Sequence, residues 1–106
     1  MSKYGNRKVK TSDGIVHDSQ REASRWVELK LLEKAGEIRD LQRQVKYELI
    51  PKQEGERAVY YIADFVYTDL RTGKTVVEDT KGVRTKDYII KRKLMLYVHK
   101  LKIKEI

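Results

Sequence analysis

The sequence predicts an α/β domain in which a small mixed β-sheet is flanked by helices. Two segments with helical periodicity, at about 20–35 and 86–100, alternate with extended segments rich in aromatic and β-branched residues. The order along the chain is helix, strand, hairpin, helix, strand, which is typical of a mixed α/β layer. A length of 106 residues suits one domain with a single modest core. We therefore expect residues 1–106 to form one domain, with 1–17 as a basic N-terminal arm or small hairpin and 18–106 as the core.

The composition favours a polyanionic partner. The chain carries 24 Lys and Arg residues against 16 Asp and Glu residues, a formal net charge of +8 at pH 7. Nucleic acid is the simplest such partner, although a ribosomal or membrane-surface protein would show a similar balance. No cysteine is present, which excludes disulfides and thiolate metal sites and fits a reducing cytosol. Because no apolar run approaches the ~20 residues of a membrane span and no signal-peptide pattern follows Met1, we expect a cytoplasmic protein without a membrane partner.

The N-terminal segment is polar and basic. Asp13 and Gly14 favour a tight turn, so the residues on either side of them are candidates for a small hairpin. The alternative is a mobile arm, which we favour for residues 1–6. In either form, a basic segment near a cleft can follow phosphates.

The first helix begins with a capping box. Ser19 stands at the N-cap and Glu22 three residues later, and Gly36 supplies the C-terminal stop. Glu22 has two interpretations. As a structural residue it returns a hydrogen bond to the Ser19 backbone. As a functional residue it shares the apolar stripe of Trp26 and Leu29 and points toward the sheet from the first turn.

A strand is expected at 45–50. Its apolar residues alternate with charged ones, which predicts one buried and one wet face. The preceding segment, 37–44, is short and polar, so we expect it to link the first helix to this strand. Gln44 is then a loop residue, either solvated or within reach of a site.

Residues 60–82 predict an antiparallel hairpin. Two runs rich in aromatic and β-branched residues flank a polar segment that contains a glycine. If residues 70–73 form a four-residue loop, Phe65 lies opposite Glu78. A three-residue loop with a bulge would shift this register by one position and place Glu78 opposite Asp64 instead.

The four-residue loop also places Asp64 opposite Asp79. Side chains alternate along a strand, so Lys81 lies on the face of Asp79. Like charges directly across a strand pair are destabilising, and a divalent cation would offset their repulsion, since carboxylate oxygens are preferred ligands of Mg²⁺. The lysine could hold a water or a developing oxyanion. The alternative is a bulge at Asp64 with no metal, and spacing alone leaves both interpretations open.

These residues also resemble a known signature. Asp64, followed after a hairpin by Asp79-Thr80-Lys81, is similar to the motif of the PD-(D/E)XK nuclease superfamily, in which an apolar run such as Val76-Val77 precedes the acidic residue. The chain also resembles small phage and prophage proteins described only as nuclease-like, over roughly residues 19–106. It departs from the motif at Ile62-Ala63, which replace the proline that gives the motif its name.

The resemblance implies a restriction-endonuclease-like core and a metal-dependent endonuclease that hydrolyses phosphodiester bonds, chiefly in DNA and less expectedly in RNA. It implies that Asp64 and Asp79 bind Mg²⁺ or Mn²⁺ and that Glu22 adds a direct or water-mediated ligand. It implies that Lys81 orients or activates the attacking water and stabilises the charge that develops on the phosphate. Because Glu78 adjoins Asp79, the resemblance leaves open which of these two carboxylates faces the metal.

The second helix is expected at 86–100, with Thr85 as its N-cap. Helical spacing predicts a buried stripe, with a second stripe of Tyr88, Lys91, Arg92 and Met95 beside it. The residues of the predicted buried stripe are Ile90, Leu94, Tyr97, Val98 and Leu101. Residues 102–106 alternate and predict a last strand at a sheet edge.

Four basic residues close to the motif are candidates for phosphate contacts: Arg84, Lys86, Lys91 and Arg92. A solvated helix face is the alternative interpretation of such a charge run. Two other classes of function remain open, namely a non-catalytic nucleic-acid-binding module on the same fold and a phage structural or assembly protein. A homodimer is a further expectation, because cutting both strands is easiest with two sites. If the protein is phage-encoded, its location is the cytosol of the bacterial host.

Overall fold

A computed structural model describes residues 7–80 and 83–106. Within these residues lie two helices, α1 (Gln20–Lys34) and α2 (Lys86–His99), and six strands. The strands are β1 (Val9–Lys10), β2 (Val16–His17), β3 (Ile38–Ile50), β4 (Val59–Asp69), β5 (Thr75–Asp79) and β6 (Ile103–Glu105). The main sheet has the strand order β3-β4-β5-β6. Neighbouring strands in it are antiparallel, except β5 and β6, which are parallel. This confirms the predicted α/β class with a mixed sheet. Neither helix is long and apolar enough to cross a membrane.

The parallel pair arises because α2 connects β5 to β6, and a helical crossover is how parallel neighbours are joined. The sheet packs against both helices through two separate cores. The α2-side core contains Leu49, Tyr61, Ala63, Val66, Val77, Tyr88, Met95 and Ile103. The α1-side core contains Trp26, Leu29, Ile38, Phe65 and Tyr67.

At Asp64, the odd-numbered residues of β4 change from one face of the sheet to the other. Strict alternation would keep every second residue of β4 on one face, yet Tyr61 and Ala63 belong to the α2-side core whereas Phe65 and Tyr67 belong to the α1-side core. On the neighbouring strand, Gln44 has a φ of 55°, a left-handed conformation that interrupts the pleat. The recorded pairs on either side are Arg43 with Phe65 and Val45 with Ala63, so Gln44 and Asp64 lie level with each other. Asp64 therefore stands where the two cores meet.

The start of β3 at Ile38 corrects the expected strand at 45–50 and the expected link at 37–44. Asp40 and Gln44 both have a φ of 55°, and the register with β4 shifts between Arg39 and Gln42. These irregularities destroy the two-residue alternation on which strand prediction depends, so the first half of the strand reads as a polar link.

The predicted caps of both helices are confirmed. The Ser19 hydroxyl accepts a hydrogen bond of 3.1 Å from the Glu22 backbone N–H, and the Thr85 hydroxyl accepts one of 3.1 Å from the Tyr88 N–H. Gly36, with a φ of 77°, follows the end of α1 in the left-handed conformation that glycine adopts most readily.

The predicted buried stripe of α2 is wrong in part. Tyr88 and Met95, from the neighbouring stripe, are its buried residues, whereas Tyr97 is 76% exposed, and Ile90 and Val98 are also exposed. The hydroxyl of Tyr88 donates a 2.6 Å hydrogen bond to Glu105 on β6, which turns this side of the helix toward the sheet. Both stripes carry apolar residues, so periodicity alone could not choose between them.

The small N-terminal hairpin is confirmed for the residues that the structure describes, and the arm expected at 1–6 lies outside them. In β1 and β2, Val9 pairs with His17. The hairpin packs on α1 through Trp26, whose indole N–H donates a 2.6 Å hydrogen bond to Asp13. Hydrogen bonds from Thr11 and then Trp26 lower the pKa of Asp13 to about 2.

Candidate functional site

The β4–β5 hairpin has the register that a four-residue loop predicts. Phe65 pairs with Glu78, and Thr68 pairs with Thr75. The backbone N–H of Asp69 closes the turn on the carbonyl of Lys74 at 2.9 Å. Continuing the register one residue beyond the recorded pairs brings the backbone of Asp64 level with the end of β5.

Glu78 points to the α1 side of the sheet and is already neutralised. Its fully buried carboxylate accepts hydrogen bonds from Arg25 Nε at 2.8 Å and Nη2 at 2.7 Å, and from the hydroxyl of Tyr67. The hydrogen bond and charge of Glu78 raise the pKa of Arg25. A carboxylate held by a two-pronged arginine is a structural ion-pair partner, so Asp79 is the better candidate of the two for a functional role.

Asp64 is fixed by the residue that follows β5. Its Oδ2 accepts hydrogen bonds from the Thr80 backbone N–H at 2.8 Å and from the Thr80 hydroxyl at 2.7 Å. These two hydrogen bonds restrict the orientation of the Asp64 carboxylate. The central residue of the Asp79-Thr80-Lys81 motif therefore positions the carboxylate of the preceding strand, a role that the sequence did not suggest.

Glu22 meets Asp64 from the first turn of α1. Its side chain is 4% exposed, and its pKa is raised to about 7 by burial first, then by the charge of Asp64 and a hydrogen bond with it. The backbone N–H of Asp18 lies 3.4 Å from Glu22 Oε2, so the capping contact goes to Asp18 rather than to Ser19. The two interpretations of Glu22 are thus compatible, because its carboxylate accepts from the helix start and also lies close enough to Asp64 for that residue to raise its pKa.

Two residues that no sequence pattern singled out lie beside this pair. His17 is fully buried, and its Nδ1 makes no hydrogen bond within the described residues although it lies 3.4 Å from Glu22 Oε2. Burial and then the charge of Arg43 lower the pKa of His17. Arg43 Nη2 lies 4.0 Å from the same Glu22 oxygen. Arg43 lies on β3 opposite Phe65. Its position could be predicted from the sequence only if β3 were recognised over its full length.

Asp79 is 3% exposed and lies on the α2 side of the sheet. Its Oδ2 accepts a hydrogen bond of 2.5 Å from the hydroxyl of Tyr61. Burial, then the hydrogen bond and charge of Asp79, and to a smaller extent the charge of Asp64, raise the pKa of Tyr61. Both carboxylates therefore lie within electrostatic reach of one phenol.

The fit of these residues to a divalent cation is partial. Glu22 and Asp64 supply two carboxylates whose mutual repulsion a hard cation would relieve. Among residues 7–80 and 83–106, however, no group of three or more His, Asp or Glu side chains is arranged to hold a metal ion. Asp79 is engaged by Tyr61, and Lys81 lies outside the described residues.

The four basic residues expected to contact phosphates divide into two groups. Arg84 and Arg92 are paired with Glu105 at 2.7 Å and 3.2 Å. Lys86 is exposed at the start of α2, and Lys91 lines a groove beside Tyr61. Phosphate contacts are therefore most accessible to the two lysines.

Comparison with known proteins gives a family but no activity. No curated protein matches the chain, and no solved structure matches it. One family model, described as "Protein of unknown function (DUF1064)", matches residues 1–105. Because this match covers nearly the whole sequence, the chain belongs to the DUF1064 family.

Proposed function

We propose that the chain is a metal-dependent endonuclease that hydrolyses phosphodiester bonds, chiefly in DNA, on a restriction-endonuclease-like core. The observation that supports this proposal is the proximity of Asp64 to Glu22, which is close enough for Asp64 to add to the effect of burial in raising the pKa of Glu22. These residues come from a helix and a strand far apart in the sequence, and Glu22 is buried while Asp64 is half-buried. A buried carboxyl group whose pKa is raised by burial and by a neighbouring carboxylate is a candidate for a functional site.

The cation that fits hard carboxylate oxygens is Mg²⁺ or Mn²⁺, with Glu22 and Asp64 as its first candidate ligands. When bound, it would lower the pKa of a water and offset charge on the scissile phosphate. Asp79 would join these ligands by exchanging its hydrogen bond with Tyr61. That exchange has a cost, because the phenol would lose its acceptor in a buried position.

The protein's own groups would then orient the reaction. Thr80 holds Asp64 through two hydrogen bonds, so this carboxylate does not have to be ordered when substrate arrives. Lys81 follows directly along the chain, and by its resemblance to the nuclease motif it would orient the attacking water and stabilise charge on the phosphate. A protein of phage or prophage type, acting in the host cytosol and able to dimerise on DNA, is consistent with this role.

The direct test is cleavage by the wild-type protein. Linear duplex, branched and single-stranded DNA, together with RNA, should be incubated with Mg²⁺, Mn²⁺ or EDTA. We expect cleavage of at least one DNA form with Mn²⁺ or Mg²⁺ and none with EDTA. No cleavage of any form with either metal would reject the enzyme.

A non-catalytic nucleic-acid-binding module is the second candidate. It is favoured by the partial metal fit among the described residues and by the hydrogen bond that Tyr61 makes to Asp79. Such a module would bind DNA with strong salt dependence and would leave it intact with either metal. A phage structural or assembly protein would show neither property.

A further inference from the structure

A groove of about 520 Å³ lies beside the candidate site. One wall is formed by Lys46 on β3 with Tyr60 and Ile62 on β4, and the other by Thr85 and Lys91 at the start of α2. Tyr60 and Ile62 precede Phe65, the residue of β4 at which pairing with β5 begins. The groove therefore opens at the end of the hairpin that carries Asp64 and Asp79.

The groove reaches the site through Tyr61. This residue lines the groove, and its hydroxyl donates to Asp79. Tyr88 also lines the groove, and the pKa of its hydroxyl is raised by burial, then by Glu105, and to a smaller extent by the charge of Asp79. A ligand that contacts Tyr61 in the groove would thus be separated from Asp79, a candidate catalytic carboxylate, by a single side chain.

The sheet-side wall includes one partly exposed aromatic ring, that of Tyr60. Tyr60 and Ile62 are 37% and 52% exposed, which is high for large apolar residues on a paired strand. The ammonium of Lys46 lies 4.1 Å from the centroid of the Tyr60 ring. An exposed aromatic ring next to a lysine is the combination that proteins use to stack a base while holding its phosphate.

The charges of the groove favour an anion of low charge density. Lys46 and Lys91 have no carboxylate partner within the described residues, unlike Arg84 and Arg92, which are paired with Glu105. Asp87 also lines the groove and opposes them. Two lysines against one carboxylate suit one or two phosphates of a single strand better than the denser charge of a duplex.

We infer that this groove binds a single-stranded segment of nucleic acid, with one base stacked on Tyr60 and adjacent phosphates facing Lys46 and Lys91. It would hold the strand that leads to the carboxylates, so the preferred substrate would contain unpaired nucleotides. This substrate assignment rests on the proposed function, whereas the binding itself does not require cleavage.

The test is the affinity for a labelled oligothymidylate of about ten nucleotides, a length within the usual site sizes for single strands. Binding is measured in EDTA by fluorescence anisotropy as a function of salt, which separates it from cleavage. Tyr60→Ala should weaken binding about fivefold or more, and Tyr60→Phe should restore it, because the phenylalanine ring still stacks. Lys46→Ala and Lys91→Ala should each reduce the salt slope by about 0.7.

Lys104→Ala is the matched control, since this exposed lysine lines a different cavity with Arg25 and Tyr67 on the α1 side. It should bind like wild type. An abasic strand of the same charge should bind wild type and Tyr60→Ala equally, because it offers no base to stack.

Three outcomes would overturn the groove assignment. The first is wild-type affinity in Tyr60→Ala, and the second is an equal loss in Lys104→Ala. The third is tighter binding of a duplex of the same length with no dependence on these side chains. If the oligonucleotide binds as expected but no nucleic acid is cleaved with either metal, the groove assignment stands and the enzyme is rejected.

Discussion

Arg25 on α1 holds Glu78 on β5 through two parallel hydrogen bonds of 2.8 Å and 2.7 Å. The guanidinium side chain is 19% exposed and the carboxylate is fully buried. This pair connects the first helix to β5, the strand that ends with Asp79 of the candidate motif. The pair also gives Glu78 a structural role on the α1 side of the sheet. The adjacent Asp79 faces the α2 side and takes no part in this ion pair.

Arg25→Ala should lower the free energy of unfolding by about 3–5 kcal/mol, because it leaves a buried carboxylate without its partner. Lys30→Ala on the same helix is the control. Its ion pair with Glu33 is exposed, so we expect a loss of about 0–1 kcal/mol. Urea unfolding measures both, and a loss below about 1 kcal/mol in Arg25→Ala would contradict the structural role of the pair.

The Glu105 cluster should make stability depend on pH in acid. Hydrogen bonds from Tyr88 and then Arg84 lower the pKa of Glu105 from 4.5 to about 2. A depressed carboxyl pKa contributes stability that is fully present above the unfolded value and is lost as the pH falls through the folded value. The wild-type advantage over Glu105→Gln should therefore shrink between pH 4.5 and pH 2. Urea midpoints across this range measure it, and a constant difference would refute the prediction.

The helix caps and the hairpin could be predicted from the sequence because each depends on residues close together in the chain. The capping residues Ser19 and Thr85 were identified because each side chain accepts a hydrogen bond from a backbone N–H three residues later. Of the two hairpin registers that the sequence left open, the structure has the one expected for a four-residue loop at 70–73. The proximity of Asp64 to Glu22 was implied by the resemblance together with the apolar stripe of α1.

Other features depend on packing that the sequence does not display. The first half of β3 was missed because Gln44 adopts a left-handed conformation that hides the alternation. The buried side of α2 depends on the hydrogen bond from Tyr88 to Glu105, which joins residues on different elements. His17 lies near Glu22 because the N-terminal hairpin packs on α1, and such a tertiary contact is not visible in a local sequence pattern.

Divalent metal should stabilise the protein through Glu22 and Asp64. A ligand that binds only the folded state raises the melting temperature by mass action. Mn²⁺ should raise the wild-type Tm, whereas Glu22→Gln, Asp64→Asn and Asp79→Asn should gain less. Asp69→Asn, at the far end of β4, should gain as much as wild type. Equal shifts in all five proteins would show that the metal binds elsewhere.

The two helix caps should separate folding from metal binding. Ser19→Ala and Thr85→Ala should each cost about 1 kcal/mol of stability, because each removes the acceptor of one helix N–H. Only Ser19→Ala loosens the turn that carries Glu22, so only this variant should also show a smaller Mn²⁺ shift in Tm. Calorimetry with and without Mn²⁺ measures both effects. An equal Mn²⁺ shift in the two variants would mean that the first turn of α1 does not position a ligand.

The central claim is that the carboxylates around Asp64, together with Lys81, carry out metal-dependent cleavage. The measurement is the single-turnover rate on a cleavable DNA at saturating Mn²⁺ and enzyme. Lys81→Ala should be slower by about 10²-fold or more while still binding metal and DNA, because it removes the group assigned to the water and the phosphate charge. Asp64→Asn should also lose cleavage, and Asp69→Asn should cleave like wild type. If wild type cleaves and both Lys81→Ala and Asp64→Asn cleave equally fast, the proposed site is wrong.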